Sequence, residues 1–407
     1  MRDVGWQNVP GRATASPTAT VDTELPEGKE MGPPGAKQMR RAYGFDEVSI
    51  VPGDVTINPE LTDISFTVGG VRLELPFIAA SMDAVVSPRS AARFSELGGL
   101  AVLNLEGLQT RYEDTEAVLE EIASAPQAEV GALLQRAYAQ PVCPELIGER
   151  VQEIKRLGGR CAVSCTPANA KRFAPAAVEA GIDIFFVQST VTTARHSSHS
   201  LEGLRFDKLC QQIPVPVVVG NTVSFGPCKD LMETGVAGVL VGVGPSCICT
   251  TREVLGIGVP QVTAVIDCAA AREAYLRESG RYVPIIADGG IHFGGDLCKA
   301  FAAGADAAML GTLLAVAEEA PGRGYHWGMS APHAELPRGK RVHVGVRTSL
   351  ERILFGPTSR SDGTENLAGV LHTALGVCGA SNIREFQQAE LIIAPAIKTE
   401  GRNFAPA

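Results

Sequence analysis

Eight short apolar runs, each followed by a helix-like stretch, constrain the fold of this chain more than any other feature. The runs span residues 76–80, 100–104, 161–164, 183–187, 215–219, 238–242, 284–288 and 306–310. Segments such as PRSAARFSELGG, PANAKRFAPAAVEAG and GPCKDLMETG follow them. Apolar runs that alternate with helix patterns indicate repeated βαβ units. Eight such units close into a (β/α)8 TIM barrel, which is the α/β fold that we predict.

Length and composition are compatible with one large barrel. The chain has 407 residues, of which 45% are hydrophobic and only 5% aromatic, and it contains 44 glycines. These proportions are typical of an α/β protein with an aliphatic core and many tight loops. Residues 1–36 are rich in Pro, Gly, Thr and acidic side chains without periodicity, so we expect a disordered extension there. The barrel is then expected to occupy residues 37–400 as a single domain.

The formal charge of −9 argues against nucleic acid or an anionic membrane as a partner. A small anionic substrate remains compatible with this charge, because backbone N–H groups can bind phosphate. The ten cysteines are irregularly spaced, without a zinc-type pairing, and no secretory or membrane-spanning run is present. We therefore expect a cytoplasmic protein with reduced thiols and no structural metal.

Small or polar residues directly follow the predicted strands. In a (β/α)8 barrel, the loops after the strands gather at one face and carry the active site. Each residue taken alone could be no more than a turn former. Together they predict an active site built from Ser81–Asp83, Asn104, Gln188–Thr190, Gly220–Thr222, the 242–252 loop, Asp288–Gly290, Gly311 and Thr312.

The segment VGVGPSCICTTREVLGIGVPQVTAV (241–265) places a cysteine in a Gly-rich loop at that face. Cys249 is the candidate nucleophile, because a thiolate attacks an electron-poor sp² carbon readily near neutral pH. Thr251, two residues further on, could reach the same reacting centre. A lone cysteine is more often a small buried apolar residue. The assignment of Cys249 therefore depends on the motif around it.

The block IADGGIHFGGDLCKAFAAGADAAMLGT (286–312) has the glycines of a phosphate-binding end formed after the last two strands. Asp288 could accept hydrogen bonds from a ribose diol, and Gly290, Gly311 and Thr312 would hold a 5′-phosphate. FMN-dependent barrel oxidoreductases have a similar pattern. This block alone therefore does not identify the ligand.

The stretch GPSCICTTREVLGIGVPQ resembles the catalytic loop of the IMP dehydrogenase/GMP reductase family, GxGxSxCxT(T/S)R followed by GxGxPQ. The resemblance covers roughly residues 38–400 and implies that Cys249 and Thr251 are catalytic. It places around the purine nucleotide Met82, Asp288, Gly290, Gly311, Thr312, His326, Gly328 and Met329. It places beside NAD⁺ Gln188, Ser189, Thr190, Asn221, Gly242 and Gly244. It also implies K⁺ on the backbone carbonyls of Gly244, Ser246 and Cys249.

The activity that the resemblance implies is oxidation of IMP to XMP with NAD⁺ and water, in guanine nucleotide biosynthesis. A covalent Cys249 thioimidate would form, and a homotetramer or octamer is expected. Water would be activated by a mobile flap at about 322–341. The Arg-Tyr pair of ordinary dehydrogenase flaps is absent here. Arg338 is our candidate for that role, with Glu335, His333 and Tyr325 as alternatives.

Three positions depart from the family pattern: Gln188, Cys247 and His326 stand where the family has Asp, Ser and Tyr. The regulatory CBS modules of most IMP dehydrogenases are missing from 105–160, as in the smaller bacterial class that lacks them. One alternative function is an NADPH-dependent GMP reductase, which would share Cys249 and Thr251, although Glu335 does not sit where the reductase motif would put its acid. Another is a non-catalytic purine-nucleotide-binding barrel.

Overall fold

The computed structural model describes residues 39–197, 203–246, 248–328 and 340–394. The predicted extension 1–36 and the end of the chain lie outside these ranges. The strands are β1 (Val48–Ile50), β2 (Phe66–Val68), β3 (Val71–Leu73), β4 (Phe77–Ala79), β5 (Leu100–Asn104), β6 (Ala162–Cys165), β7 (Ile184–Gln188), β8 (Val217–Thr222), β9 (Gly238–Val241), β10 (Ile285–Asp288), β11 (Ala307–Leu310), β12 (Tyr325–Trp327), β13 (Arg341–His343) and β14 (Leu391–Ile393).

The helices follow the strands as the βαβ pattern requires. They are α1 (Pro88–Glu96), α2 (Thr115–Ser124), α3 (Val130–Ala139), α4 (Pro144–Arg156), α5 (Pro167–Glu179), α6 (Phe206–Gln212), α7 (Phe225–Glu233), α8 (Thr251–Leu255), α9 (Gln261–Ser279), α10 (Gly294–Ala302), α11 (Thr312–Ala315), α12 (Leu350–Phe355), α13 (Leu367–Val377) and α14 (Ile383–Phe386). Short 3-10 turns occupy Phe45–Glu47, Pro59–Leu61 and Leu108–Thr110. No helix in the described ranges combines the length and the apolar character that a membrane crossing requires.

Strands β4 to β11 form a closed parallel barrel in chain order, and β11 pairs back onto β4. All eight strands predicted from the apolar runs are present, and the (β/α)8 fold is confirmed. The one substantial difference is in β8, which was expected to end at Val219 and continues to Thr222. Thr222 pairs with Val241 after an irregularity in the ladder at Gly220. The polar residues of this loop therefore begin while the chain is still paired.

The two faces of the barrel strands bury different sets of side chains. Alternate residues such as Ile78, Val102 and Phe186 fill the interior, whereas their neighbours pack against the surrounding helices. The β2–β3 hairpin adds Phe66 and Leu73 to the interior cluster. A Cβ on its turn residue Gly69 would lie 2.1 Å from Pro216, which precedes β8. The hairpin thus covers the N-terminal end of the barrel, and the site must lie at the other end.

The stretch between β5 and β6 holds a helical hairpin rather than an inserted regulatory domain. Helices α2 and α3 bury their apolar faces in a separate cluster, which we call the hairpin cluster: Leu119, Ile122, Leu133, Leu134, Tyr138 and Trp327, with their neighbours. Trp327 belongs to β12, far along the chain. The hairpin therefore packs against the base of the predicted flap.

The ends of the predicted flap are a two-stranded antiparallel ribbon, in which β12 pairs with β13 and Tyr325 lies opposite His343. His326 and Trp327 are buried. The flap was predicted to lie at about 322–341, and its bounds remain a prediction. The buried Trp327 holds the first strand of the ribbon against the hairpin cluster. Residues 329–339, which include Arg338 and Met329, lie outside the described ranges.

Candidate active site

Asp288, the last residue of β10, is a shared acceptor for two amides at the mouth of the barrel. Its Oδ2 accepts hydrogen bonds from Gln188 Nε2 at 2.9 Å and from Asn221 Nδ2 at 2.7 Å. Ser81 Oγ donates in turn to Gln188 Oε1 at 3.1 Å. These residues come from the ends of four strands, and the barrel brings them to one place. Gln188 and Asn221, which were predicted to contact NAD⁺, are therefore hydrogen-bonded to Asp288, which was predicted to contact the nucleotide.

The Asp288 carboxylate keeps an accessible oxygen for a ligand. Burial raises its pKa to about 6, and the hydrogen bonds from Asn221 and Gln188 oppose that rise. No hydrogen bond from the described residues reaches Asp288 Oδ1, and Asn221 Oδ1 is buried without a partner. An unpaired buried oxygen costs about 1–3 kcal/mol. The accessible Asp288 Oδ1 and the unpaired Asn221 Oδ1 together offer two acceptors, which suit the two adjacent hydroxyls of a ribose.

The loop after β9 is tied closely to Asp288. A Cβ on Gly242 would lie 2.1 Å from the Asp288 carbonyl oxygen, so only glycine permits this approach. Gln261, at the start of α9, donates from Nε2 to the Val241 carbonyl at 2.7 Å and more weakly to that of Asp288 at 3.4 Å. Sequence reasoning did not select Gln261, although it ends the quoted GxGxPQ pattern. Its buried Oε1 has no partner among the described groups.

Glycines also fix the middle of this loop. A Cβ on Gly290 would lie 3.1 Å from Pro245, so the loop packs directly on the segment after Asp288. Gly244 adopts φ +72°, and the Arg252 side chain passes 2.7 Å from the position of its missing Cβ. This left-handed conformation favours glycine. The glycines that were predicted to contact ligands therefore also have a structural role, because they allow the loop to fold over the barrel mouth.

Cys249 lies on this loop, with its thiol donating to Thr251 Oγ1 at 3.1 Å. Thr251 is the first residue of α8 and is buried, whereas Cys249 is partly exposed. The thiols of Cys268 and Cys298 are buried, and their pKa values are raised, chiefly by the side-chain hydrogen bond of the Cys268 thiol to Cys228 and by burial at Cys298. Such thiols are inert. Cys249 therefore differs from them in exposure and in having a hydroxyl partner.

Gly311 follows β11, and two of the predicted nucleotide contacts lie beside it. A Cβ at Gly311 would lie 3.5 Å from Met82 Sδ, and equally 3.5 Å from His326 Nε2. Thr312 begins the short helix α11 directly after it. Met82 comes from the loop after β4, so the ends of the first and last barrel strands meet here. This region corresponds to the phosphate-binding end of (β/α)8 enzymes.

The remaining predicted residues lie on the same loops. The amide of Ser189 donates to the Gly220 carbonyl at 2.9 Å, and Thr190 beside it is half-buried. Ser246 accepts through its carbonyl from the Cys249 amide at 3.2 Å, and Gly328 directly follows β12. Met329, Arg338 and Cys247 lie outside the described ranges, so their predicted roles stay predictions.

A chain of buried polar groups, which was not predicted from the sequence, links the barrel mouth to the β12–β13 ribbon. Tyr138 OH, on α3, donates to Asp83 Oδ2 at 2.7 Å, and Trp327 Nε1 donates to Tyr138 OH at 2.9 Å. The amide of Leu108 also donates to Asp83, at 2.9 Å. Burial raises the pKa of Asp83 to about 6, and both hydrogen bonds oppose the rise. Neither the spacing nor the residue types of Asp83, Tyr138 and Trp327 mark such a contact in the sequence.

Known proteins resemble this chain over most of its length. The model of the IMP dehydrogenase/GMP reductase domain matches residues 42–401. An uncharacterized oxidoreductase of Mycolicibacterium smegmatis is 42% identical over 363 residues, which are 87% of this chain and 97% of the relative. The IMP dehydrogenase of Methanocaldococcus jannaschii is 28% identical over 490 residues, covering 89% of this chain and 95% of that protein.

A solved structure resembles the whole barrel. The crystal structure of an IMP dehydrogenase/GMP reductase-like protein from Corynebacterium glutamicum superposes with a TM-score of 0.83 at 36% identity, covering 88% of this chain and 96% of that one. The family-model match spans nearly all of the described residues, and the quoted cysteine loop lies within it. The chain belongs to the IMP dehydrogenase/GMP reductase family.

Proposed function

We propose that this protein is an NAD⁺-dependent IMP dehydrogenase that oxidises IMP to XMP. The observation that carries the proposal is the partly exposed Cys249 thiol, paired with Thr251 at 3.1 Å on a loop packed against the Asp288 segment. The family membership supports an oxidoreductase acting on a purine nucleotide. Three relatives, from Methanocaldococcus jannaschii, Aquifex aeolicus and Cryptosporidium parvum, are named as IMP dehydrogenases.

In this proposal the ribose diol of IMP donates to Asp288 Oδ1 and to Asn221 Oδ1, neither of which has a donor among the described residues. Gly290, Gly311 and Thr312 would hold the 5′-phosphate. Around the rest of the nucleotide would lie Met82, His326, Gly328 and Met329. These contacts would orient the purine so that C2 faces the thiol of Cys249. Holding the two reacting groups in register supplies much of the rate enhancement.

The Cys249 sulfur would add as the thiolate to C2 of IMP, and the hydride at C2 would leave to NAD⁺. The carbon then remains bonded to sulfur as a thioimidate. Water attacks this carbon and the C–S bond breaks, which releases XMP and leaves the free thiol. The thiol then loses its proton to regenerate the thiolate, so one proton is released per turnover. Thr251, whose hydroxyl accepts from the thiol, would exchange protons at the reacting centre. Splitting the reaction into two steps lowers each barrier.

NAD⁺ would lie along Gln188, Ser189, Thr190, Asn221, Gly242 and Gly244. A monovalent cation such as K⁺ would be held by the carbonyls of Gly244, Ser246 and Cys249. No backbone amide of the described chain donates to the carbonyls of Gly244 and Cys249, so their lone pairs fit a cation. A bound cation would stabilise the loop that carries the nucleophile. Arg338, from the flap, is the proposed activator of water.

The assay that tests this proposal is the absorbance of NADH at 340 nm, with IMP, NAD⁺ and K⁺ added to the purified protein. The absorbance should rise, and Cys249→Ala should abolish the rise. A second cuvette holds GMP and NADPH. A fall in that cuvette without a rise in the first would replace the proposal by a GMP reductase, and silence in both would favour a non-catalytic nucleotide-binding barrel. We expect the active form to be a cytoplasmic homotetramer or octamer, which light scattering on the same sample would measure.

A further inference from the structure

Both strands of the β12–β13 ribbon are bound to the α2–α3 hairpin, which connects β5 to β6. On β12, the indole of Trp327 is buried in the hairpin cluster and donates to Tyr138 OH at 2.9 Å. On β13, the Arg341 guanidinium donates to the carbonyls of Ile122 and Ala125 at the end of α2. The ribbon is thus fixed to the hairpin at two separate points.

The Arg341 side chain caps the C-terminal end of α2. The last carbonyls of a helix have no partner within the helix and form the negative end of its dipole. Nη1 of Arg341 donates to the carbonyls of Ile122 and Ala123, the latter at 3.4 Å. Nη2 donates to the carbonyl of Ala125 at 2.9 Å and to the side-chain oxygen of Gln127 at 3.2 Å. Bonds from a planar guanidinium are directional, so they determine where β13 lies as well as how tightly it is held.

An arginine is energetically unfavourable at this position if packing is its only purpose. Arg341 is 6% exposed, its Nε is buried without a partner, and no carboxylate of the described residues forms an ion pair with it. Buried ionic groups can often be replaced by apolar residues of similar volume without loss of stability. Packing therefore does not require the guanidinium, and its directional bonds indicate a role in placing the ribbon.

A third contact with the hairpin comes just before the ribbon. The Arg323 guanidinium forms ion pairs with Glu116, at 3.0 Å, and with Glu120, which lies one turn further along α2. These side chains are at least 41% exposed, and exposed ion pairs contribute little to stability. Arg341 is therefore the stronger of the two arginine contacts.

The ribbon also borders the barrel mouth at two points. On β12, His326 Nε2 lies 3.5 Å from the position of a Cβ on Gly311. At the start of β13, Lys340 Nζ lies 2.9 Å from Glu253 Oε2 on α8. Helix α8 begins two residues after Cys249, the proposed nucleophile. The hairpin, the ribbon and the nucleophile's loop therefore form one continuous set of contacts.

We infer that Arg341 is a positioning residue for the proposed reaction: by binding the end of α2, it holds the ribbon in place beside Gly311 and the Cys249 loop. The inference rests on the proposed function for the identity of the nucleotide. Arg341 itself touches neither substrate nor cofactor, because its guanidinium is buried against the hairpin. Its effect is on placement, and a displacement of about 1 Å far from the reacting groups can reduce a rate about 100-fold.

The experiment compares two substitutions in the full chain. Arg341→Met keeps an unbranched apolar stem without the charge or the donors, and Arg341→Lys keeps the charge but lacks the planar fork. The kinetic constants are measured in whichever of the two cuvettes of the proposed assay shows turnover. We expect kcat/KM to fall about 100-fold in Arg341→Met and to recover in part in Arg341→Lys. Most of the loss should be in kcat, because Asp288 and Gly290 belong to the barrel and still bind the nucleotide.

Arg136→Met is the matched control, because Arg136 lies on the same hairpin and is bonded to Glu121 within it, at 2.8 Å. Its kinetic constants should equal those of the wild-type protein.

A second readout needs no substrate. The chain has two tryptophans, so Trp6→Phe leaves Trp327 as the only one. In that background, acrylamide should quench the fluorescence of Trp327 more strongly when Arg341 is replaced by Met, because the indole is held less firmly in the hairpin cluster. Urea unfolding of each variant shows that the loss of turnover is measured on folded protein.

Unchanged kcat/KM in Arg341→Met, or an equal loss in Arg136→Met, would overturn the inference. Loss of turnover with unchanged quenching of Trp327 would also overturn it, because the ribbon would still be in place. If Arg341→Met does not fold, wild-type kinetic constants in Arg341→Lys would overturn it, whereas a partial loss with stronger quenching would support it. Absence of turnover in both cuvettes for the wild-type protein would refute the proposed function, and the quenching experiment would still show whether Arg341 holds the ribbon.

Discussion

Replacing Tyr138 with Phe tests the polar chain that ties the barrel mouth to the ribbon carrying His326. The hydroxyl of Tyr138 accepts from the Trp327 indole at 2.9 Å and donates to Asp83 at 2.7 Å, and all three side chains are at most 4% exposed. Its removal leaves a buried N–H without a partner and takes one hydrogen bond from a buried carboxylate. Each loss costs about 1–3 kcal/mol, so we expect the free energy of unfolding to fall by about 3 kcal/mol at pH 7.5.

The loss should depend on pH, because Asp83 titrates. Burial raises its pKa in the folded protein from 3.8 to about 6, so the folded form holds the proton more tightly and this group's contribution to stability declines as the pH rises from about 4 to 6. The Tyr138 hydrogen bond lowers that pKa, so its removal extends the decline to higher pH. The variant should therefore lose more free energy of unfolding at pH 7.5 than at pH 5. The difference is about 1.4 kcal/mol for each unit by which the substitution raises the pKa of Asp83.

Urea unfolding followed by tryptophan fluorescence at both pH values measures this difference. Tyr112→Phe is the matched control, because Tyr112 lies beside the same hairpin cluster and its hydroxyl donates only to the Ala137 carbonyl, at 3.0 Å. That variant should lose about 1 kcal/mol at either pH. An equal loss for Tyr138→Phe at pH 5 and pH 7.5, or a loss no larger than that of the control, would refute the reasoning.

Three further changes probe the mouth. Gln188→Glu places a second carboxylate beside Asp288, so the pKa of Asp288 should rise further above about 6. The acid limb of the pH profile of kcat/KM should then move to higher pH, and an unmoved limb would contradict a role for ionised Asp288 in substrate binding. Gly311→Ala should leave the midpoint of urea unfolding unchanged, because the new Cβ would lie at an ordinary contact distance of 3.5 Å from His326. The same variant should weaken IMP binding about tenfold in a titration, and an unchanged affinity would place the nucleotide elsewhere. Cys249→Ser should retain IMP binding by calorimetry but lose about 1,000-fold or more in kcat, and a smaller loss would count against a covalent step.

The barrel could be predicted from the sequence because each strand is a short, fully buried apolar run between turn residues, and parallel strands in α/β proteins are buried on both faces. Asp288, Gly311 and Cys249 could be located in the same way, because Asp288 ends one of these runs, Gly311 follows another directly, and Cys249 lies on the loop after a third. The extension of β8 to Thr222 could not, since its last residues are polar and read as a loop.

The contacts that the sequence did not disclose are long-range and carried by ordinary residue types. Tyr138 and Trp327 are 189 positions apart and meet only because the helical hairpin packs against the ribbon. Gln188 was assigned to the cofactor, yet its amide is bonded to Asp288, 100 positions away. Hydrophobic periodicity determines which face of an element is buried, whereas the partner of a buried polar group depends on how the finished elements pack.

The most direct test of the account is to acid-quench the protein during the first turnover with IMP and NAD⁺, and then to map nucleotide-linked peptides by mass spectrometry. The account predicts a nucleotide bonded to the peptide that contains Cys249, formed together with NADH and absent in Cys249→Ser. NADH formation with no linked nucleotide at any quench time, or a nucleotide linked to a different residue, would contradict it.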